Sequence, residues 1–371
     1  MNRVLRAFLV LLLSFLSPLA SLAENDKTRS QGVAGKPSAK NPGTAESSAN
    51  AKFEAQINRG IQLRKRRMYD QSVAQFDRVL AMSPPPKSAA LCTFEKGQVL
   101  YLQGVDQFNS RAVGDPLSTS TLQRSLAAFH KVVADYPEQP TAASATYMAA
   151  STRIRLNDPE SALAGYREAY TKYPHYENRS RALLRIGITL MGLERMNEAR
   201  STFQRVWTEF PDKKNDARKA RNYVGQLAVV GKKFTPLRAD SWMFGTVDAG
   251  GMNSFDGEVR ALVFVATWCT SCSKALPGLR KVVEMWSQKG MLFFGVINPS
   301  DPKSAIRPAR YIDKAKLDFI DVALVSKVDV WKAYRGQSLP AVALIDRRGM
   351  VRWRGHPSFF PSTMAQKLLD E

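Results

Sequence analysis

A repeat in the first two thirds of the chain limits the fold more than any other feature. The segments SLAAFHKVVADYP (125–137), SALAGYREAYTKYP (161–174) and EARSTFQRVWTEFP (198–211) align. Phe129, Tyr166 and Phe203 step by 37 residues, and Pro137, Pro174 and Pro211 keep that step eight residues after each aromatic. An earlier copy, SVAQFDRVLAMSP (72–84), places Phe76 eight residues before Pro84 and 53 residues before Phe129, so one connecting segment is longer. Each copy carries apolar residues at helical spacing and stops at proline, which cannot continue a helix. Residues 142–156 and 179–193 lie between copies and show the same periodicity. The unit is therefore a helix pair, with Ala128, Gly165 and Gly187 as small residues where paired helices approach closely. A unit this short cannot bury its apolar face alone, so neighbours must stack to make a core.

Such a unit resembles the tetratricopeptide repeat (TPR), over roughly residues 51–230. Read so, the repeated aromatics and prolines, and Met148, Met191 and Met196, are packing and stop signals rather than a site. The resemblance implies a concave groove that binds a peptide or protein, without naming it.

From about Lys232 the pattern changes to apolar runs alternating with helical stretches. Arg260–Thr267 and Met291–Ile297 read as buried strands around a helix at 271–289. A polar helix is expected within 302–316, a short strand at Val322–Val325 and one or two helical turns at Val328–Tyr334. Ala341–Ile345 and Met350–Arg354 flank Asp346-Arg347-Arg348-Gly349, a hairpin turn, and Phe359–Leu369 is the closing helix.

The run LVFVATWCTSCSKALP (262–277) places a CxxC where a buried strand meets a helix. There the helix macrodipole and free N–H groups stabilise a thiolate on the first cysteine, Cys269. Cys272, one turn later, can resolve a mixed disulfide. Zinc would need two more ligands, and Cys92, His130, His175 and His356 are not at finger-like spacing. A purely structural disulfide is disfavoured because so short a loop is strained and reducible.

This segment resembles the active-site run of exported thioredoxin-superfamily proteins of the TlpA/ResA-like branch, with Trp268, Cys269, Cys272 and Pro277 in register. LPAVALIDRRGMVRWRGH (339–356) resembles the branch's hairpin at Pro340, Leu344, Ile345, Asp346 and Gly349. The resemblance implies Cys269 as nucleophile, Cys272 as resolving thiol, and Trp268, Leu339 and a cis-proline at Pro340 as the substrate-contacting surface. Trp268 reads equally as a packed rim residue, and Lys274 as a solvated helix residue. The branch's buried acids are missing: Val263 stands six residues before Cys269 and Ala275 three after Cys272. Those acids help move the resolving thiol's proton, so rate and direction of electron flow stay open. Cys92 is either a buried small apolar residue or a third redox thiol.

The chain's start fits an export signal: Arg3 and Arg6, the apolar run Leu9–Leu16, then Ser21-Leu22-Ala23 as a cleavage site. The run is short for a membrane span, although an uncleaved anchor remains a second reading. The net charge of +21 is spread along the chain, with clusters at Arg64–Arg67 and between Lys213 and Arg221. No aromatic-interleaved basic motif accompanies it, so a nucleic-acid partner is not expected; a solvated basic face, an acidic partner or an anionic membrane surface are the alternatives. Gly-rich phosphate loops and ligand clusters are missing from the sequence, so neither cofactor nor metal is expected.

The expected organisation is a signal peptide (1–23), a disordered linker (24–50), an all-α TPR-like repeat (51–231) and an α/β thioredoxin-like domain (232–371). The expected function is thiol–disulfide exchange in an exported, periplasm-like space on a protein client with cysteines or a disulfide, recruited by the repeats, with a membrane protein as electron donor. The alternative is a TPR scaffold whose redox domain is auxiliary or slow.

Overall fold

A computed structural model describes residues 43–110, 116–237, 239–243, 257–298, 307–315, 317–326, 328–334 and 339–371. The expected signal peptide and the first part of the expected linker lie outside them. The linker's last residues do not behave as expected, because α1 (Gly43–Lys65) begins directly after Pro42. From Thr44 onward no proline or glycine interrupts the run until Gly60, so the helix extends back from the first repeat.

Eight further helices follow before the sheet: α2 (Tyr69–Ala81), α3 (Pro86–Ser110), α4 (Pro116–Asp135), α5 (Thr141–Arg155), α6 (Pro159–Thr171), α7 (Arg179–Gly192), α8 (Met196–Glu209) and α9 (Lys214–Leu227). The long step between Phe76 and Phe129 is absorbed by α3 and α4, of 25 and 20 residues. Phe76, Phe129 and Phe203 are completely buried. Each presses on a glycine of the preceding helix. A Cβ added at Gly60, Gly97 or Gly187 would lie 2.7, 2.8 or 2.5 Å from the rings of Phe76, Phe129 and Phe203 respectively. Only hydrogen at these positions lets the helices close over the ring. Phe203 also stacks on Tyr223, with ring centroids 4.9 Å apart.

The remaining elements are β1 (Ser241–Met243), β2 (Arg260–Val265), α10 (Thr270–Ser287), β3 (Leu292–Ile297), α11 (Pro308–Ala315), β4 (Asp321–Leu324), α12 (Val328–Ala333), β5 (Ala341–Ile345), β6 (Val351–Gly355) and α13 (Ser362–Asp370). The closing helix starts later than the expected Phe359, because Pro357–Phe359 form a 3-10 turn and Pro361 occupies the N-cap. The sheet order is β1-β4-β3-β2-β5-β6. β2, β3 and β4 run parallel, whereas β5 and β6 form an antiparallel hairpin on β2. This is a thioredoxin-like arrangement. Both faces of β2 are covered: Ala261, Val263 and Val265 pack with α10 residues, and Leu262 and Phe264 with Phe234 and Tyr334. That double burial explains a continuous apolar run rather than an alternating one.

The helices divide between two compact units. One holds α1–α5; the other holds α6–α9 together with the sheet, the chain crossing at Leu156–Asn157. The expected boundary at 231/232 does not coincide with this division. Met196 packs against the core of the sheet, Glu194 Oε1 accepts the Met364 N–H at 3.1 Å, and the Gly231 N–H donates to Val351 O at 2.7 Å. The sequence pattern changes at Lys232, but the packing does not break there.

Candidate functional site

Cys269 sits where β2 gives way to α10. It is the N-cap of that helix, in extended conformation, and its Sγ accepts the Cys272 N–H at 3.1 Å. Its own N–H is held by Ala266 O at 3.1 Å. The strand thus delivers a sulfur onto the open N–H groups of a helix start, where a thiolate is favoured. Cys272 joins it in a disulfide, with Cα atoms 5.2 Å apart. Cys269 is 5% exposed and Cys272 not at all, so the first sulfur is the accessible one.

Trp268 beside them is 39% exposed, one of few large apolar side chains so placed among the described residues. The Leu339–Pro340 peptide is cis. Its loop lies against the CxxC turn: Ser271 Oγ donates to Leu339 O at 3.4 Å and stands 3.3 Å from Cys269 Sγ. Pro340 itself is buried and Leu339 half-buried. The hairpin that carries the loop is fixed by Asp346, whose carboxylate accepts the Met350 N–H at 2.8 Å, and by Gly349 at φ 75°. The five residues singled out from sequence (Trp268, Cys269, Cys272, Leu339 and Pro340) therefore share one end of the sheet.

Val263 and Ala275 are buried and apolar on the Cys272 side of the sheet. Neither position supplies a carboxylate. Cys92 lies elsewhere, in the unit of α1–α5, completely buried, with its thiol donating to Phe76 O at 3.4 Å. Burial pushes that thiol up to about 12, which suppresses thiolate chemistry. No cluster of three or more His, Cys, Asp or Glu side chains suited to a metal occurs among the described residues. Among them, too, no helix is long and apolar enough to cross a membrane.

One feature of the site was not expected from sequence. A groove of about 610 Å³ begins at Trp268 and Cys269 and runs along α10 toward α11. Leu276, Pro277 and Phe319 line it, with Lys281 and Lys314 on its walls. The signal was present in α10: residues 273, 277, 280, 281 and 284 recur at helical spacing on the face opposite the core.

The tetratricopeptide repeat family matches residues 181–213, which span α7 and α8. No curated protein matches the chain. Among solved structures it is similar to a thiol:disulfide interchange protein from Bacteroides sp., at 20% identity over 36% of this chain and 91% of that one, TM-score 0.28. It is similar to the exposed lipoprotein thioredoxin Etrx1 of Streptococcus pneumoniae at 19% identity, over 32% and 89%, TM-score 0.27. A third likeness is to YrrB, a TPR protein with an unusual peptide-binding site, at 20% identity over 48% and 82%, TM-score 0.32.

Proposed function

We propose that the protein is an exported thiol–disulfide oxidoreductase whose client is recruited by the TPR-like helices. The observation that carries this reading is Cys269 at the α10 N-cap, its sulfur accepting a backbone N–H and its partner Cys272 one turn away and fully buried. In the reduced protein the Cys269 thiolate attacks one sulfur of a client disulfide, and the other leaves as a thiolate. Cys272 then attacks the Cys269 sulfur, releasing the second client thiol and closing the Cys269–Cys272 disulfide. Two electrons pass from protein to client, and the reverse sequence oxidises a client dithiol. Trp268, Leu339 and the cis Pro340 flank the attacked sulfur and offer contact surface to an extended client chain. Reduction in an exported setting requires a membrane thiol donor. Export rests on the signal-like residues 1–23.

The test is trapping. Cys272→Ser stalls the reaction as a mixed disulfide through Cys269, which non-reducing electrophoresis resolves. If no adduct forms while Cys269→Ser and the parent chain bind client equally, the exchange reading fails. A scaffold with a slow redox domain is the second reading. It is favoured by the apolar Val263 and Ala275, which leave Cys272 without a neighbouring acid at those positions.

A further inference from the structure

The groove along α10 is built for more than the two sulfurs. Its floor is apolar, from Leu276, Pro277 and Phe319, and it opens directly at Cys269. Two polar groups on its wall bear on what it can hold. Tyr311 is 4% exposed, and its hydroxyl faces the Ser273 side chain. Pro277 has no N–H to give to the Ser273 carbonyl one turn back. A ligand that supplies an acceptor can take a hydrogen bond from the Tyr311 hydroxyl, and one that supplies a donor can reach the Ser273 carbonyl.

The charges are equally one-sided. Arg280 is engaged, pairing with Asp318 at 2.6 Å and lying over the Phe319 ring at 4.4 Å. Lys281 and Lys314 line the groove from opposite helices and have no ion-pair partner among the described residues. Glu284 is the single acid on the lining, at the end far from Cys269.

We infer that this groove seats an extended segment of the client protein, with an apolar residue beside the attacked cysteine and a carboxylate about five residues along the chain. The spacing follows from the helix: Cys269 to Lys281 spans roughly 18 Å at 1.5 Å per residue, about five residues of extended chain at 3.4 Å each. The apolar residue rests on Leu276 and Phe319, the Tyr311 hydroxyl donates to a backbone carbonyl, and the carboxylate falls between Lys281 and Lys314. The inference rests on the exchange reading above and adds the sequence preference of its substrate.

The test uses the reduced full-length chain in single-turnover reactions. The probes are disulfide-linked homodimers of a peptide carrying Leu next to cysteine and either Glu or Lys five residues away, on one side or the other. Bis(2-hydroxyethyl) disulfide serves as a small probe that cannot reach the lysines. At low salt the Glu peptide is expected to react about tenfold faster than the Lys peptide, the gap closing near 1 M salt. In the Lys281→Glu/Lys314→Glu double variant the preference is expected to invert; because the ratio is read within one protein, partial misfolding does not imitate it. A ratio near one in the parent chain, or a ratio unchanged in the double variant, overturns the inference while leaving exchange intact. No reaction with bis(2-hydroxyethyl) disulfide overturns the exchange reading itself.

Discussion

The helical repeats and the sheet domain spend their aromatic residues differently. In the repeats Phe76, Phe129 and Phe203 recur, are fully buried, and each fits against a glycine of the preceding helix. In the sheet domain Trp268 belongs to no repeat and stands 39% exposed beside Cys269, whereas Trp286 and Trp353 are buried. A residue type that recurs with the same neighbour serves packing. An exposed one beside the CxxC is available for contact with something outside the chain. The cysteines differ too, with Cys92 fully sealed among the helices and Cys269, at a helix start, the more accessible sulfur of its pair.

Each side of that contrast can be broken by substitution. The largest effect is expected from Cys269→Ser, which removes the nucleophile and lowers exchange at least about a thousandfold, or roughly 4 kcal/mol of barrier, measured as insulin or peptide disulfide reduction. A residual rate within tenfold of the parent would end its role as nucleophile. Phe203→Ala should cost about 3–5 kcal/mol of stability through the cavity left against Gly187, read as a fall in the denaturant midpoint. The exchange rate per folded molecule should hardly change, since the ring is far from chemistry by role; a matching loss of rate at full folding would dissolve the division between packing and contact.

His356 gives an intermediate effect. Burial holds its imidazole down at about 4. Its folded pKa lies below the unfolded value, so its contribution is intact above pH 6.5 and is lost as pH falls toward 4, where the unfolded chain takes up a proton first. The loss is about 3 kcal/mol, visible as a urea midpoint that drops across that window and flattens in His356→Gln. Cys92→Ala is the smallest, about 1 kcal/mol, with exchange unaffected. The native Cys92 thiol should resist alkylation over hours, while the reduced Cys269 reacts in minutes.

The repeat was legible because periodicity and proline stops are written in sequence order: helix ends fall two or three residues before Pro84, Pro137, Pro174 and Pro211. Its glycine sockets were only half legible. Gly187 was expected at a crossing, but Gly60 and Gly97 were not, although Gly60 and Gly187 each stand 16 residues before the ring they receive; only the long α3 sets Gly97 apart, at 32. The redox pair, Trp268 and the Leu339–Pro340 loop were readable because local motifs carry them. The groove was not, because Tyr311, Lys314 and Phe319 reach α10 only through the crossover between β3 and β4. The division at Leu156–Asn157 escaped for a similar reason: composition changes at Lys232, yet Met196 of α8 already packs against the sheet's core.

That shared core bears on how such a chain can be cut and rejoined. The Glu194 carboxylate holds the Met364 N–H in the first turn of α13, and the Phe359 ring lies 3.6 Å from where a Cβ on Gly192 would be. A fragment begun at Lys232 would forfeit both contacts and the packing of Met196 against the sheet's core. A new helical arm grafted onto this chain would therefore have its seam before α6, with the last two helix pairs inherited as part of the body that carries the CxxC.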